Sequence, residues 1–112
     1  MTKYLISFPG NAFTATGDDL AAAGVESRAV IEDAKAAGVY VFAGGIHEGV
    51  APVRVDGGGA VADGAHPGSD LTGGFTVLEC ATRDEAILWA ARIAKACRCS
   101  QELREFMYDP AS

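Results

Sequence analysis

The stretch GGFTVLECATRDEAILWAARIA, residues 73–94, decides how the rest of the chain is read. From Gly74 to Cys80 the side chains alternate. Phe75, Val77 and Glu79 go to one side, and Thr76, Leu78 and Cys80 to the other. That period of two predicts a strand. At Thr82 the period changes. Thr82-Arg83-Asp84-Glu85 has the form of a capping box, in which the threonine covers a free N–H and the glutamate reaches back. Ala86, Ala90, Ile93 and Cys97 then recur at helical spacing, with Ile87, Ala91 and Ala94 beside them. The helix is expected to run to about Ala96.

The same logic extends upstream. KYLISF, residues 3–8, alternates as a strand, with Tyr4, Ile6 and Phe8 opposite Lys3, Leu5 and Ser7. Pro9-Gly10-Asn11 ends it. Residues 18–37 read as a helix capped by Thr16, with Asp18 and Asp19 where the dipole favours negative charge. Leu20, Gly24, Ser27, Ile31 and Ala34 form its stripe, widened by Ala23, Val30 and Ala37, and Gly38 stops it. Val39 to Ala43 is a strand closed by Gly44-Gly45. Ala51–Val55 and Ala60–Ala62 flank Asp56-Gly57-Gly58-Gly59 and predict a hairpin bearing Val53, Val55 and Val61. Residues 63–73 are a loop, and ELREFMY, residues 102–108, is the last strand.

The order is strand, helix, strand, hairpin, strand, helix, strand. Without the hairpin it is βαββαβ, the ferredoxin-like arrangement of an α+β fold. Two helices then cover one face of an antiparallel sheet and leave the other bare. Tyr4, Ile6, Phe8, Phe75 and Val77 give both faces apolar side chains. A bare apolar sheet is rare on a monomer, so a homodimer packed sheet to sheet is expected.

Composition narrows the partners. The 112 residues make one domain, 1–112. Nine Lys and Arg against 15 Asp and Glu give a net charge of −6, which supplies no basic face for nucleic acid or an anionic membrane. Apolar runs break before they could span a bilayer, and the N-terminal run is too short for a signal peptide, so a cytoplasmic location is expected. Cys80 sits in an apolar run, and Cys97 and Cys99 flank Arg98. Three thiols cannot all pair, and they do not make a zinc set. The glycines at 57–59 lack the lysine and following helix of a phosphate loop. No metal or cofactor is expected.

The candidates for chemistry are few. His47 and His66 are the only histidines. His66 lies three residues after Asp63 and four before Asp70, so either carboxylate could orient an imidazole acting as a base. His47 neighbours Glu48. A solvated loop position accounts equally for each histidine, and Asp63-Gly64 is also a turn former. Asp70 and Glu79 are the candidate ligand-binding residues. Glu79 shares a strand face with Phe75 and Val77. It is either a pocket acid or the partner of Arg54 or Arg104.

KYLISF, AAGVYVFAGGI (36–46), VADG (61–64), the 73–94 run and ELREFMYDP (102–110) together resemble the YCII-related, or DGPF-domain, family of the dimeric α+β barrel superfamily. The resemblance covers almost the whole chain and implies the same fold and a dimer. The signature Asp-Gly-Pro-Phe reads Asp63-Gly64-Ala65-His66 here. In the YciI branch a helix histidine and a loop aspartate are proposed as a catalytic dyad. The helix position, counted back from Gly38, is Ser27, so the dyad does not carry over. Relatives with this barrel handle small aromatic or lactone compounds. The resemblance therefore implies a small cofactor-free enzyme doing acid–base chemistry on such a compound, or a non-catalytic module that binds one.

Overall fold

The computed structural model describes all 112 residues, and the alternation in 74–80 becomes β5 (Gly74–Cys80) as read. Thr76, Leu78 and Cys80 are buried, while Phe75, Val77 and Glu79 are half-buried on the other side. At the start of α2 (Arg83–Cys97) the Thr82 cap forms, and the Glu85 carboxylate reaches back one residue beyond the N-cap, to Ala81. The Glu85 N–H donates to Thr82 Oγ1 at 3.1 Å, and the Ala81 N–H donates to Glu85 Oε2 at 3.1 Å.

β5 pairs with β1 (Thr2–Phe8) and with β2 (Tyr40–Gly45), and β1 pairs with β6 (Glu102–Glu105). All pairings are antiparallel and the order is β2-β5-β1-β6, the ferredoxin-like order. α1 (Gly17–Ala36) and α2 pack together on one face. The core is Tyr4, Ile6, Val39, Leu78 and Cys80 from the sheet layer against Val30, Ala34, Ala86, Ala90, Ile93 and Ala96 from the helices. The alanines let the helices sit close to the sheet. Trp89 packs at the margin, with the Arg92 guanidinium 4.7 Å from its ring centre.

Several expectations are corrected. Thr16 occupies the N-cap of α1, but its side chain makes no capping bond. The buried line of α1 is Ala23, Val30 and Ala34, and Leu20 is exposed. Gly44 and Gly45 do not end β2. They pair with Phe75 and Gly74 and belong to the strand. A register shift between Tyr40 and Phe42 sets Tyr40 opposite buried Leu78 but Phe42 opposite Val77. The last strand stops at Glu105, and Phe106, Met107 and Tyr108 leave the sheet exposed.

Register also settles the sheet faces. Leu5 lies opposite Val77, so Leu5, Phe42, Phe75 and Val77 share the side away from the helices, while Tyr4 and Ile6 lie beneath them. Glu79 lies opposite Lys3 and pairs with it at 3.9 Å. Neither arginine expected for it is near: Arg104 binds Glu102, and Arg54 donates to the Asp63 carbonyl.

β3 (Val53–Val55) and β4 (Val61–Asp63) form a separate two-stranded sheet whose residues are all exposed. The chain thus has a broad outline of 43 × 42 × 21 Å and a radius of gyration of 15.6 Å. A compact chain of this length would have about 13 Å.

Candidate functional site

Two glycine pairs, Gly44-Gly45 and Gly73-Gly74, meet where β2 and β5 join. Gly74 is also the cross-strand partner of Phe8. A Cβ on Gly74 would stand 2.7 Å from the Phe8 ring, so the bare glycine is what lets that ring lie across the strand. Phe13 leans on Phe8 with ring centres 6.0 Å apart. Above this floor come Ser27 and Ile31 from α1 and Ile93 and Cys97 from α2. Together they line an open cavity of about 490 Å³. That volume lies within the range of about 300–1,000 Å³ typical of small-molecule sites.

The rim is held by backbone bonds from distant parts of the chain. The Gly10 N–H donates to Thr72 Oγ1 at 3.0 Å, and Thr72 in turn donates to Asp70 Oδ1 at 3.3 Å. The Ile46 N–H donates to the Gly73 carbonyl at 2.8 Å. That bond fixes the turn that follows, where the Val50 N–H reaches the His47 carbonyl at 3.1 Å. Glu48 sits in this turn, and its carboxylate lies over the Cα of Gly10 on the cavity wall. Glu48 is exposed at the cavity mouth, and no hydrogen bond or ion pair within the chain engages its carboxylate. Ser27 Oγ donates to the Gly24 carbonyl at 3.2 Å. Burial pushes the Cys97 thiol upward, with Cys99 adding to the shift and Arg98 opposing it.

The residues singled out from sequence do not converge on this cavity. His47 is exposed, and its Nδ1 accepts from the Gly49 N–H at 3.2 Å. His66 is exposed, and its imidazole bonds neither Asp63 nor Asp70; only its carbonyl is used, by the Ser69 N–H. Asp63 ends the hairpin. Asp70 reaches the rim through Thr72. Glu79 lines a separate cavity of about 890 Å³ on the other side of the sheet, with Lys3, Val77 and the segment after Glu105. That cavity is larger and is walled by β1, β5, the end of β6 and the exposed terminal segment, whereas the first lies between both helices and three strands. No three His, Cys, Asp or Glu side chains gather as metal ligands.

Glu48, Ser27 and Cys97 are the cavity groups that spacing alone does not mark. A signal was present in the two glycine pairs at strand ends, beside Phe8 and Phe42, which mark a place where side chains have been removed to leave room.

No curated protein matches the chain. Among solved structures, it is similar to the 5-chloro-2-hydroxyhydroquinone dehydrochlorinase TftG of Burkholderia phenoliruptrix, in complex with 2,5-dihydroxybenzoquinone. The two are 17% identical, with a TM-score of 0.52 over 97% of each chain, which is a likeness of fold. The model of the YCII-related domain matches residues 15–105, and the chain belongs to that family.

Proposed function

We propose that this chain, acting as one domain, is a small cofactor-free enzyme that performs acid–base chemistry on a small aromatic or lactone-like compound held between sheet and helices. The observation that carries the reading is an unpartnered, solvent-exposed carboxylate, Glu48, on the wall of a cavity floored by the rings of Phe8 and Phe13. Aromatic walls favour a flat ring, and a free carboxylate can take a proton from it. The ligand named for the structural neighbour, 2,5-dihydroxybenzoquinone, is a compound of the class such a cavity accommodates.

The second reading is a binding module without catalysis. Ser27 at the helix position and two histidines standing in solvent favour it. A thermal-shift screen of phenols, lactones and aromatic acids, followed by chromatography of each hit after incubation, separates the two. Turnover that Glu48→Gln abolishes while binding persists supports the enzyme. Hits that are never converted support the module. Hits lost in His66→Ala or Asp63→Asn, and untouched by Glu48→Gln, would move the site to the loop at 63–70, which also carries Asp70; His47→Ala would test the other histidine in the same way.

The active form on this reading is a homodimer joined through Leu5, Phe42, Phe75 and Val77. Supporting it is an accessible surface of 7484 Å². Part of that area belongs to the exposed β3–β4 hairpin; on the sheet face itself Phe42 is 56% exposed and Leu5, Phe75 and Val77 are partly exposed, and an uncovered apolar face of this kind is rare on a monomer.

A further inference from the structure

Glu48 is the single charged side chain among the residues lining the helix-side cavity. No lysine, arginine or histidine lines it. Its other polar side chains are the hydroxyls of Ser27 and Thr76 and the thiol of Cys97. Ser27 already spends its hydrogen on Gly24, and burial keeps Cys97 protonated and uncharged at neutral pH. The chain as a whole carries −6, so the background field has the same sign as Glu48.

From this we propose, building on the pocket reading above, that Glu48 selects the ligand by polarity. The cavity takes a small ring compound bearing a hydroxyl or amino donor and turns away compounds bearing a carboxylate or phosphate. An anion entering beside Glu48 would lose water while facing a like charge with no cation to offset it. A hydroxyl or ammonium group instead meets a vacant acceptor, and a hydrogen bond to an ionised partner is stronger than a neutral one. The aromatic floor adds an attractive face for a cation.

Four one-ring probes isolate the effect: benzylamine, phenol, methoxybenzene and benzoate. Each is titrated into the whole protein at pH 7 and followed through the backbone amide signals of Gly44, Gly45, Gly73 and Gly74. Benzylamine and phenol are expected to bind at least about fivefold more tightly than benzoate, with methoxybenzene between. In Glu48→Gln, checked for an intact fold by the same spectra, the four should fall within about twofold of one another, since the charge is gone and the shape is kept. Benzoate binding at those glycines as tightly as phenol would overturn the selection and leave the pocket standing. A preference that survives Glu48→Gln would overturn the role of Glu48. No shift at those glycines with any probe would overturn both the pocket and its selectivity.

Discussion

Gly73 sits directly against Phe8: a Cβ on Gly73 would overlap the Phe8 carbonyl oxygen and stand 2.8 Å from the Gly10 amide nitrogen. Its φ of +74° adds a second demand that only glycine meets without strain. The neighbours are backbone and cannot step aside. Gly73→Ala should therefore cost at least about 2 kcal/mol, and it should open the cavity rim. Gly24 is the contrast. It lies inside α1 with nothing within 4 Å of an added Cβ, so Gly24→Ala should stabilise by about 0.5–1 kcal/mol. Urea midpoints of the two variants check the pair, and equal effects would refute the argument.

Leu5 and Ile6 are adjacent in sequence and opposite in fate. Ile6 is 1% exposed beneath the helices, and Leu5 lies across from Val77 on the uncovered side. Ile6→Glu should abolish folding, because a carboxylate there has no partner and no water. Leu5→Glu should leave the protomer folded and split the proposed dimer. Light scattering and circular dichroism together decide it. Wild-type protein running at one chain mass at micromolar concentration would sink the dimer, whatever Leu5→Glu does.

Arg98 ties the end of α2 to α1. Its Nε lies 2.8 Å from Asp19 Oδ1, and its guanidinium also meets Glu26. It holds this position at φ 56°, in the left-handed region that disfavours a side chain. Asp19 and Glu26 are more than half exposed, so each pair is worth little alone, and Arg98→Ala should lower the thermal midpoint only slightly. Arg98→Gly should be milder than Arg98→Ala, because glycine relieves the left-handed backbone that alanine does not. Alanine proving the milder substitution in thermal unfolding would contradict this.

The local elements and, through their order, the ferredoxin-like arrangement were legible in the sequence. The alternation in 74–80 and the Thr82–Glu85 capping box are each written within a few residues, and both elements form there. Anything that depends on register was beyond reach. Glu79 takes Lys3 because β1 and β5 pair in that frame, and no spacing rule relates positions 3 and 79. The cavity is hidden for the same reason. Gly10, Ser27, Glu48, Gly73 and Cys97 are brought together only by the order β2-β5-β1-β6 and by two helices crossing it. His47, His66 and Glu48 are all exposed, and what separates them is that Glu48 lines the cavity and neither imidazole does.

Alkaline pH should loosen this protein. Burial pushes the thiols of Cys80, Cys97 and Cys99 above their ordinary 9.0. It does the same to the Tyr4 phenol, with Glu105 adding to the shift. Below about pH 8 both the folded and the unfolded chain keep nearly all of these protons, and the groups add little pH dependence. As pH rises past 9, the unfolded chain releases protons that the folded chain still holds. The unfolded state then binds fewer protons, the slope of stability with pH is negative, and stability falls until the folded values are passed. Urea midpoints measured with reductant from pH 7 to 10.5 should hold level and then decline. Cys80 is fully buried and packs as a small apolar group, so Cys80→Val keeps most of the packing and removes its titration. That variant should decline less steeply than wild type over the same range. A wild-type midpoint that stays flat or climbs between pH 9 and 10.5 would show that these groups are not held protonated by the fold.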